Sequence, residues 1–127
     1  MAYKKSKKKQ LKHIDVAVAY ISSSFNNTMV TVTTPDGNVI MRGSAGQMGF
    51  KGARKGTPYA AMQVGTRVAK ELTGMGVRAI EVNMQGPGSG RDGVVRAFQS
   101  SGLNVMLLRD ITPIPHNGCR SPKKRRV

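Results

Sequence analysis

The stretch Thr57-Pro58-Tyr59-Ala60-Ala61-Met62-Gln63-Val64-Gly65-Thr66-Arg67-Val68-Ala69-Lys70-Glu71-Leu72-Thr73-Gly74 sets how the rest of the chain must fold around it. Threonine is a good helix N-cap, and proline suits the first helical position, where its missing N–H would have no partner anyway. Ala61, Val64, Gly65, Val68 and Leu72 then recur at helical spacing, with Gln63, Arg67, Lys70 and Glu71 spread over the other faces. Gly74 reads as the stop, and Met62 and Met75 read as gap-fillers in the core. Directly after the helix, Val77 to Met84 carries Ile80, Val82 and Met84 on one face of a strand.

Working outward, Asn27 to Thr34 is rich in Thr and Val, Pro35-Asp36-Gly37-Asn38 is a tight turn, and Val39-Ile40-Met41 returns, so 27–42 should form a hairpin. Before it, His13 to Tyr20 alternates as a half-buried strand, with Ile14, Val16, Val18 and Tyr20 on its apolar face. Ser22 to Asn27 then makes a polar connection. On the other side, Gly86-Pro87-Gly88-Ser89-Gly90 is a turn, and Arg91 to Ser101 is a short helix around Val94, Val95 and Phe98. Leu103 to Leu108 is apolar enough to be an inner strand. Three strands, a helix, a strand, a helix and a strand predict an antiparallel unit followed by right-handed crossovers. The expectation is an α/β domain over 13–112, with a mixed five-stranded sheet and two helices.

Charge sits outside that domain. Lys plus Arg number 21 against 6 Asp plus Glu, a formal net charge of +15. Lys4, Lys5, Lys7, Lys8, Lys9 and Lys12 fall in an N-terminal arm, 1–12, that has no acid. Arg120, Lys123, Lys124, Arg125 and Arg126 fall in a C-terminal arm, 113–127, that has none either. Pro113, Pro115 and Pro122 keep helix and inner strand out of this second arm, and Asn117-Gly118 supplies a chain reversal. Such segments cannot bury enough apolar surface to fold alone and are expected to order on a polyanion. Ten basic and six acidic residues remain in 13–115, and a near-ordinary globular body with two cationic ends points to phosphate backbone as the partner. A membrane surface would call for an apolar anchor or an aromatic amphipathic helix. The chain has no Trp and no apolar run of spanning length, and its N-terminal stretch lacks the apolar core of a signal peptide. The single cysteine, Cys119, allows no internal disulfide, so a reducing compartment is expected.

Two stretches of the body carry the same chemistry. Gly43 to Thr57 holds five glycines with Ser44, Lys51, Gly52, Arg54 and Lys55 among them. Glycines let backbone N–H groups approach an anion, and the cations stand beside them. Gly88-Ser89-Gly90-Arg91-Asp92-Gly93 matches the dinucleotide pattern GxGxxG between a strand and a helix, with Asp110 placed to take a ribose. The helix is short and nothing downstream could build a substrate domain, so this turn is assigned to a backbone phosphate and no cofactor is expected. His116 and Cys119 have metal-like spacing but too few companions for a zinc site. With three Tyr and three Phe, strand-borne stacking platforms are not expected, and recognition by charge and shape is.

Four segments carry a specific resemblance: Ser24-Phe25-Asn26-Asn27-Thr28-Met29-Val30, then Gly49 to Pro58, then Gly86 to Arg91, and Asp110 to Arg120. In this order and over about residues 13–127, the chain resembles small ribosomal subunit protein eleven in its bacterial and organellar form. The resemblance implies a ribonuclease H-like α/β fold without catalytic acids and a structural, non-enzymatic role. It implies binding to small-subunit ribosomal RNA on the platform, near the messenger RNA exit region, beside small-subunit proteins six, seven and eighteen. Ribosomes of the cytoplasm, or of an organelle that encodes the protein, would be its location. Carried over by motif, Asn26, Asn27, Lys51, Arg54, Lys55, Gly86, Gly88, Gly90, Arg91 and the run His116, Asn117, Gly118, Cys119, Arg120 to Arg126 would face RNA. The chain departs from the family pattern at Met41-Arg42-Gly43, where an aromatic and a serine are common. It also departs at Gln85, where lysine is common, and at Ser121, where proline is usual.

Overall fold

The computed structural model describes residues 15–126, so the lysine arm 1–12 with its six candidate RNA contacts, and the start of the first strand at His13 and Ile14, lie outside the described residues. Five strands and two α-helices follow one another: β1 (Val16–Ser23), β2 (Thr28–Thr33), β3 (Val39–Ser44), a 3₁₀ turn (Gly52–Gly56), α1 (Pro58–Gly74), β4 (Ala79–Gln85), α2 (Gly90–Ser100) and β5 (Asn104–Asp110). The strands form one mixed sheet in the order β3-β2-β1-β4-β5. β1, β2 and β3 are antiparallel neighbours, while β4 runs parallel to β1 and β5 parallel to β4. This is the expected α/β architecture, built as one domain.

Both helices pack on one face of the sheet and against each other. The core beneath them holds Ala17, Ala19 and Ile21 of β1, Val30 and Val32 of β2, Ile80 and Val82 of β4, and Val64, Val68, Leu72, Val94 and Phe98 of the helices. Thr57 caps α1 as the sequence suggests, its Oγ1 accepting from Ala60 N at 3.2 Å. The helix runs one residue further than Gly74 implies: Met75 is the C-cap and Gly76, at φ +89°, makes the left-handed exit.

Three readings of side-chain placement change. The core face of β1 is the alanine face, with Val16 and Val18 half-buried and Tyr20 43% exposed on the other side. Bulk misleads here, because β1 lies in the middle of the sheet under α2 and needs small residues where that helix presses closest. β5 is an edge strand rather than an inner one, and Met106, Leu107 and Leu108 are exposed along it. Met62 points to solvent rather than filling the core, while Met75 is half-buried. No helix among the described residues is long and apolar enough to cross a membrane.

The topology decides where the loops go. Because β1, β4 and β5 are parallel, their carboxyl ends share one edge of the sheet. The β1–β2 loop, the β3–α1 loop, the β4–α2 turn and the segment after β5 all emerge there, together with the first turns of both helices.

Candidate nucleic-acid interface

That edge is assembled by glycines that let three loops touch through their backbones. Ser24, Phe25, Asn26 and Asn27 form the β1–β2 loop, closed by Ser24 N donating to Asn27 O at 2.9 Å. The Ser24 hydroxyl accepts from the N–H groups of Asn26 and Asn27, and Asn27 Oδ1 accepts from Thr28 N at 2.8 Å. On one side of this loop lies Gly56, where a Cβ would run into the carbonyl oxygen of Phe25. On the other side lie Gly86, Gly88 and Gly90, where a Cβ would run into Ser23 O, Ser23 Oγ and Thr28 Oγ1 in turn. The hydroxyls of Ser23 and Thr28 are buried there without hydrogen-bond partners. The four motif segments, far apart in the chain, thus meet as one surface.

The C-terminal arm is clasped to the same surface at its root. Ile111 N donates to Met84 O at 2.7 Å, and Gly86 N donates to Thr112 Oγ1 at 3.1 Å. Asp110 accepts from the Thr112 hydroxyl at 2.6 Å, from Thr112 N at 3.0 Å and from Arg91 Nη1 at 3.0 Å. The hydrogen bonds from Thr112 hold the Asp110 carboxyl below its ordinary value of 3.8, with Arg91 adding to them and desolvation opposing. Asp110 is therefore committed to the clasp, not held out for a ribose, and Arg91 is paired with it. Gly88 and Gly90 are likewise packed on Ser23 and Thr28 rather than open to a pyrophosphate. The dinucleotide reading fails on both of its contacts.

Beyond the clasp, residues 111–126 are exposed throughout, with Asn117 in the left-handed region at φ +68°. His116, Asn117, Gly118, Cys119, Arg120, Lys123, Lys124, Arg125 and Arg126 all belong to this exposed run. Cys119 is a free, exposed thiol. Among the described residues no group of three or more His, Cys, Asp or Glu could hold a metal ion.

Lys51, Gly52 and Arg54 are exposed and Lys55 half-buried on the β3–α1 loop, with Arg54 and Lys55 in the last turn of the 3₁₀ segment. Ser44 ends β3 at this edge and accepts from Gln47 N at 3.3 Å. The N-termini of α1 and α2 add partial positive charge, and each carries at least one N–H without an intrahelical partner. Helix N-termini, cations and the root of a basic arm share this edge, an arrangement suited to a polymer of phosphates. Two exposed rings here went unassigned at the level of sequence. Phe25 stands 78% exposed at the tip of the β1–β2 loop, and Tyr59 is 63% exposed in the first turn of α1, edge-on to Phe50 with centroids 6.0 Å apart. The only hint was an aromatic in a run of Ser and Asn, where apolar packing has no use for it.

The family model described as Ribosomal protein S11 matches residues 17–126, nearly all of the described chain. The chain belongs to the ribosomal protein S11 family. Among its relatives, "Small ribosomal subunit protein uS11c" of Cyanophora paradoxa is 56% identical over 119 residues, covering 94% of this chain and 92% of that protein. "Small ribosomal subunit protein uS11" of Thermosynechococcus vestitus is 53% identical over 120 residues, with the same coverage of both. The S11 family is a structural, non-enzymatic component of the small ribosomal subunit, so the resemblance drawn from four motifs holds over the whole fold. For an S11 protein, the convergence of those motifs on one edge gives their spacing in the chain a physical meaning: they are the loops that one end of the mixed sheet, the carboxyl end of β1, β3, β4 and β5, brings together.

Proposed function

We propose that this chain binds small-subunit ribosomal RNA on the platform of the subunit, near the messenger RNA exit region, and stabilises the RNA fold there. The observation that carries the reading is the shared edge of the sheet, where the loops bearing Asn26, Asn27, Lys51, Arg54 and Lys55, the glycine turn 86–90 and the root of the C-terminal arm emerge together. The body 13–112 acts as a rigid seat, and the arms 1–12 and 113–127 extend from it along phosphates. Neutralising phosphates where RNA helices converge removes repulsion that would otherwise hold those helices apart, and arms that order on binding lock the arrangement. Small-subunit proteins six, seven and eighteen are the expected neighbours, with messenger RNA close by. The particle would lie in the cytoplasm, or inside an organelle that makes its own ribosomes.

The test is sedimentation of a gently lysed extract at high and low magnesium, with this protein quantified across the fractions. It should follow the small subunit at near one copy per particle when the subunits separate. The triple variant Arg54→Gln, Lys55→Gln, Arg120→Gln should be depleted from that peak although its fold is intact. Undiminished incorporation of the triple variant would overturn the charge mechanism, and a position at the top of both gradients would overturn the ribosomal assignment.

A further inference from the structure

Both helices cover one face of the sheet, and the opposite face has no element of the described chain upon it. Register across that face puts five residues in one row. Arg42 of β3 is opposite Thr31, Thr31 is opposite Tyr20, Tyr20 is beside Asn83, and Asn83 is beside Arg109 of β5. Neighbours across a sheet point to the same side, so this row spans the sheet from edge to edge, roughly 19 Å in four interstrand steps. Tyr20 stands at its centre, 43% exposed, with an exposed arginine at each end. A concavity of about 360 Å³ opens beside the ring between Tyr20, Met29, Thr31, Arg42 and Ser44.

We propose that this open face is a further RNA site, on which one unpaired base stacks against Tyr20 while Arg42 and Arg109 take the flanking phosphates. The inference rests on the RNA-binding reading above and adds to it a class of ligand, single-stranded or looped RNA, and a second surface. Charge complementarity favours it, since Glu81, half-buried, is the one acid among the strand residues of this face, against two arginines. Chemistry favours it too. Ser22, exposed, and Thr31, half-buried, set hydroxyl groups beside the ring, while Asn83 is buried between Tyr20 and Arg109; the hydroxyls match a base that offers a flat face with donors and acceptors on its edge. A purely apolar partner would leave those groups unpaired at a cost.

Continuity is the third argument. The next row, Ser44, Met29, Ser22 and Gln85, lies between Tyr20 and the loops of the shared edge. An RNA strand seated on those loops passes over that row onto the sheet. The low aromatic count excludes a platform for several bases, and the geometry offers one ring for one base. Reading Tyr20 with Val16 and Val18 as a core face hid it in the sequence.

The experiment compares the full chain with Tyr20→Ala, Tyr20→Phe and the pair Arg42→Gln, Arg109→Gln, binding a short single-stranded oligoadenylate and a duplex RNA of equal length. Tyr20→Ala should weaken the single strand roughly 5- to 150-fold, the range expected for losing one stacked base, and leave the duplex nearly unchanged. Tyr20→Phe keeps the stack and should bind like the parent. The arginine pair should lower the salt slope for the single strand by about 1.4, roughly 0.7 for each phosphate no longer neutralised. It also decides the matter if Tyr20→Ala fails to fold. Equal loss on both RNAs, or no loss with the triple loop variant still defective, overturns the sheet site alone. Full RNA binding by the loop variant as well overturns the broader reading. Normal RNA binding by Tyr20→Ala with loss from the small subunit would make the face a protein contact and also overturn the proposal.

Discussion

At Gly86 the backbone stands at φ +99°, and a Cβ added there would meet the carbonyl oxygen of Ser23. Left-handed strain and a backbone clash act together, so Gly86→Ala should cost roughly 2–4 kcal/mol in denaturant unfolding. Ser23 gives the opposite expectation. Its hydroxyl is buried and unpartnered, so Ser23→Ala should be neutral or stabilising by up to about 1 kcal/mol; a clear loss would show that the hydroxyl has a partner after all. Asp110 gives a pH signature. Its folded pKa is lowered below 3.8, so the clasp contributes stability above the unfolded value, and that contribution is lost as pH falls through the lower folded value. The small stability gap between the parent and Asp110→Asn should persist from neutral pH to the ordinary carboxylate range and close only in stronger acid. Unfolding midpoints across that range check it. Glycine, serine and acid were all visible in the sequence, but their roles were not. Phosphate contact was read from glycines whose first constraint is backbone packing, and that constraint depends on which loop folds against which.

α1 and α2 cross at Gly65, where a Cβ would lie 2.8 Å from Ala97 Cβ and 3.1 Å from the Val94 backbone. Backbones this close leave no room for a branched side chain. Gly65→Val should destabilise by about 3 kcal/mol or more, overpacking outweighing the few tenths of a kcal/mol, roughly, that valine gains over glycine in helix propensity. Gly65→Ala trades a smaller clash against the roughly 1 kcal/mol that alanine gains over glycine in a helix, so its loss should be distinctly less. Thermal unfolding of the two variants separates the crossing from simple propensity, and equal losses would refute it. Element boundaries were the legible part of this scale. The cap at Thr57, the helical spacing of the α1 core residues and the turn at residues 35–38 are local signals, and each was where the sequence put it. Faces and neighbours were not legible in β1 and β5. Alternation in β1 offers an apolar residue on both sides, and only the helices above it select alanine. The apolar run in β5 suits an inner strand, yet no sixth strand exists among the described residues to cover its edge.

For the molecule as a whole, topology converts a scattered charge pattern into a directed one. Ten basic and six acidic residues in 13–115 would make an unremarkable surface if they were spread evenly. Two antiparallel reversals turn β3 in the direction of β1, β4 and β5, and this gathers Lys51, Arg54 and Lys55 at the edge from which the cationic arm leaves. Distribution of charge between body and arms was readable from composition, but this gathering required the strand order. Its consequence is a salt dependence. A binder that neutralises roughly six to ten phosphates should lose about three to five decades of RNA affinity between 50 and 200 mM salt. Arg54→Gln, Lys55→Gln, Arg120→Gln removes three of those cations and should lower the slope of log affinity against log salt by about 3. The loss should be similar for unrelated RNA sequences, because phosphates carry no base identity. Stability should change little, since these side chains are exposed or half-buried and make no ion pair among the described residues. Titrations at several salt concentrations, beside an unfolding curve for each protein, separate the two effects. A slope that the triple variant leaves unchanged would mean the shared edge does not touch phosphate. RNA binding would then have to come from the open sheet face and the remaining basic residues of the arms.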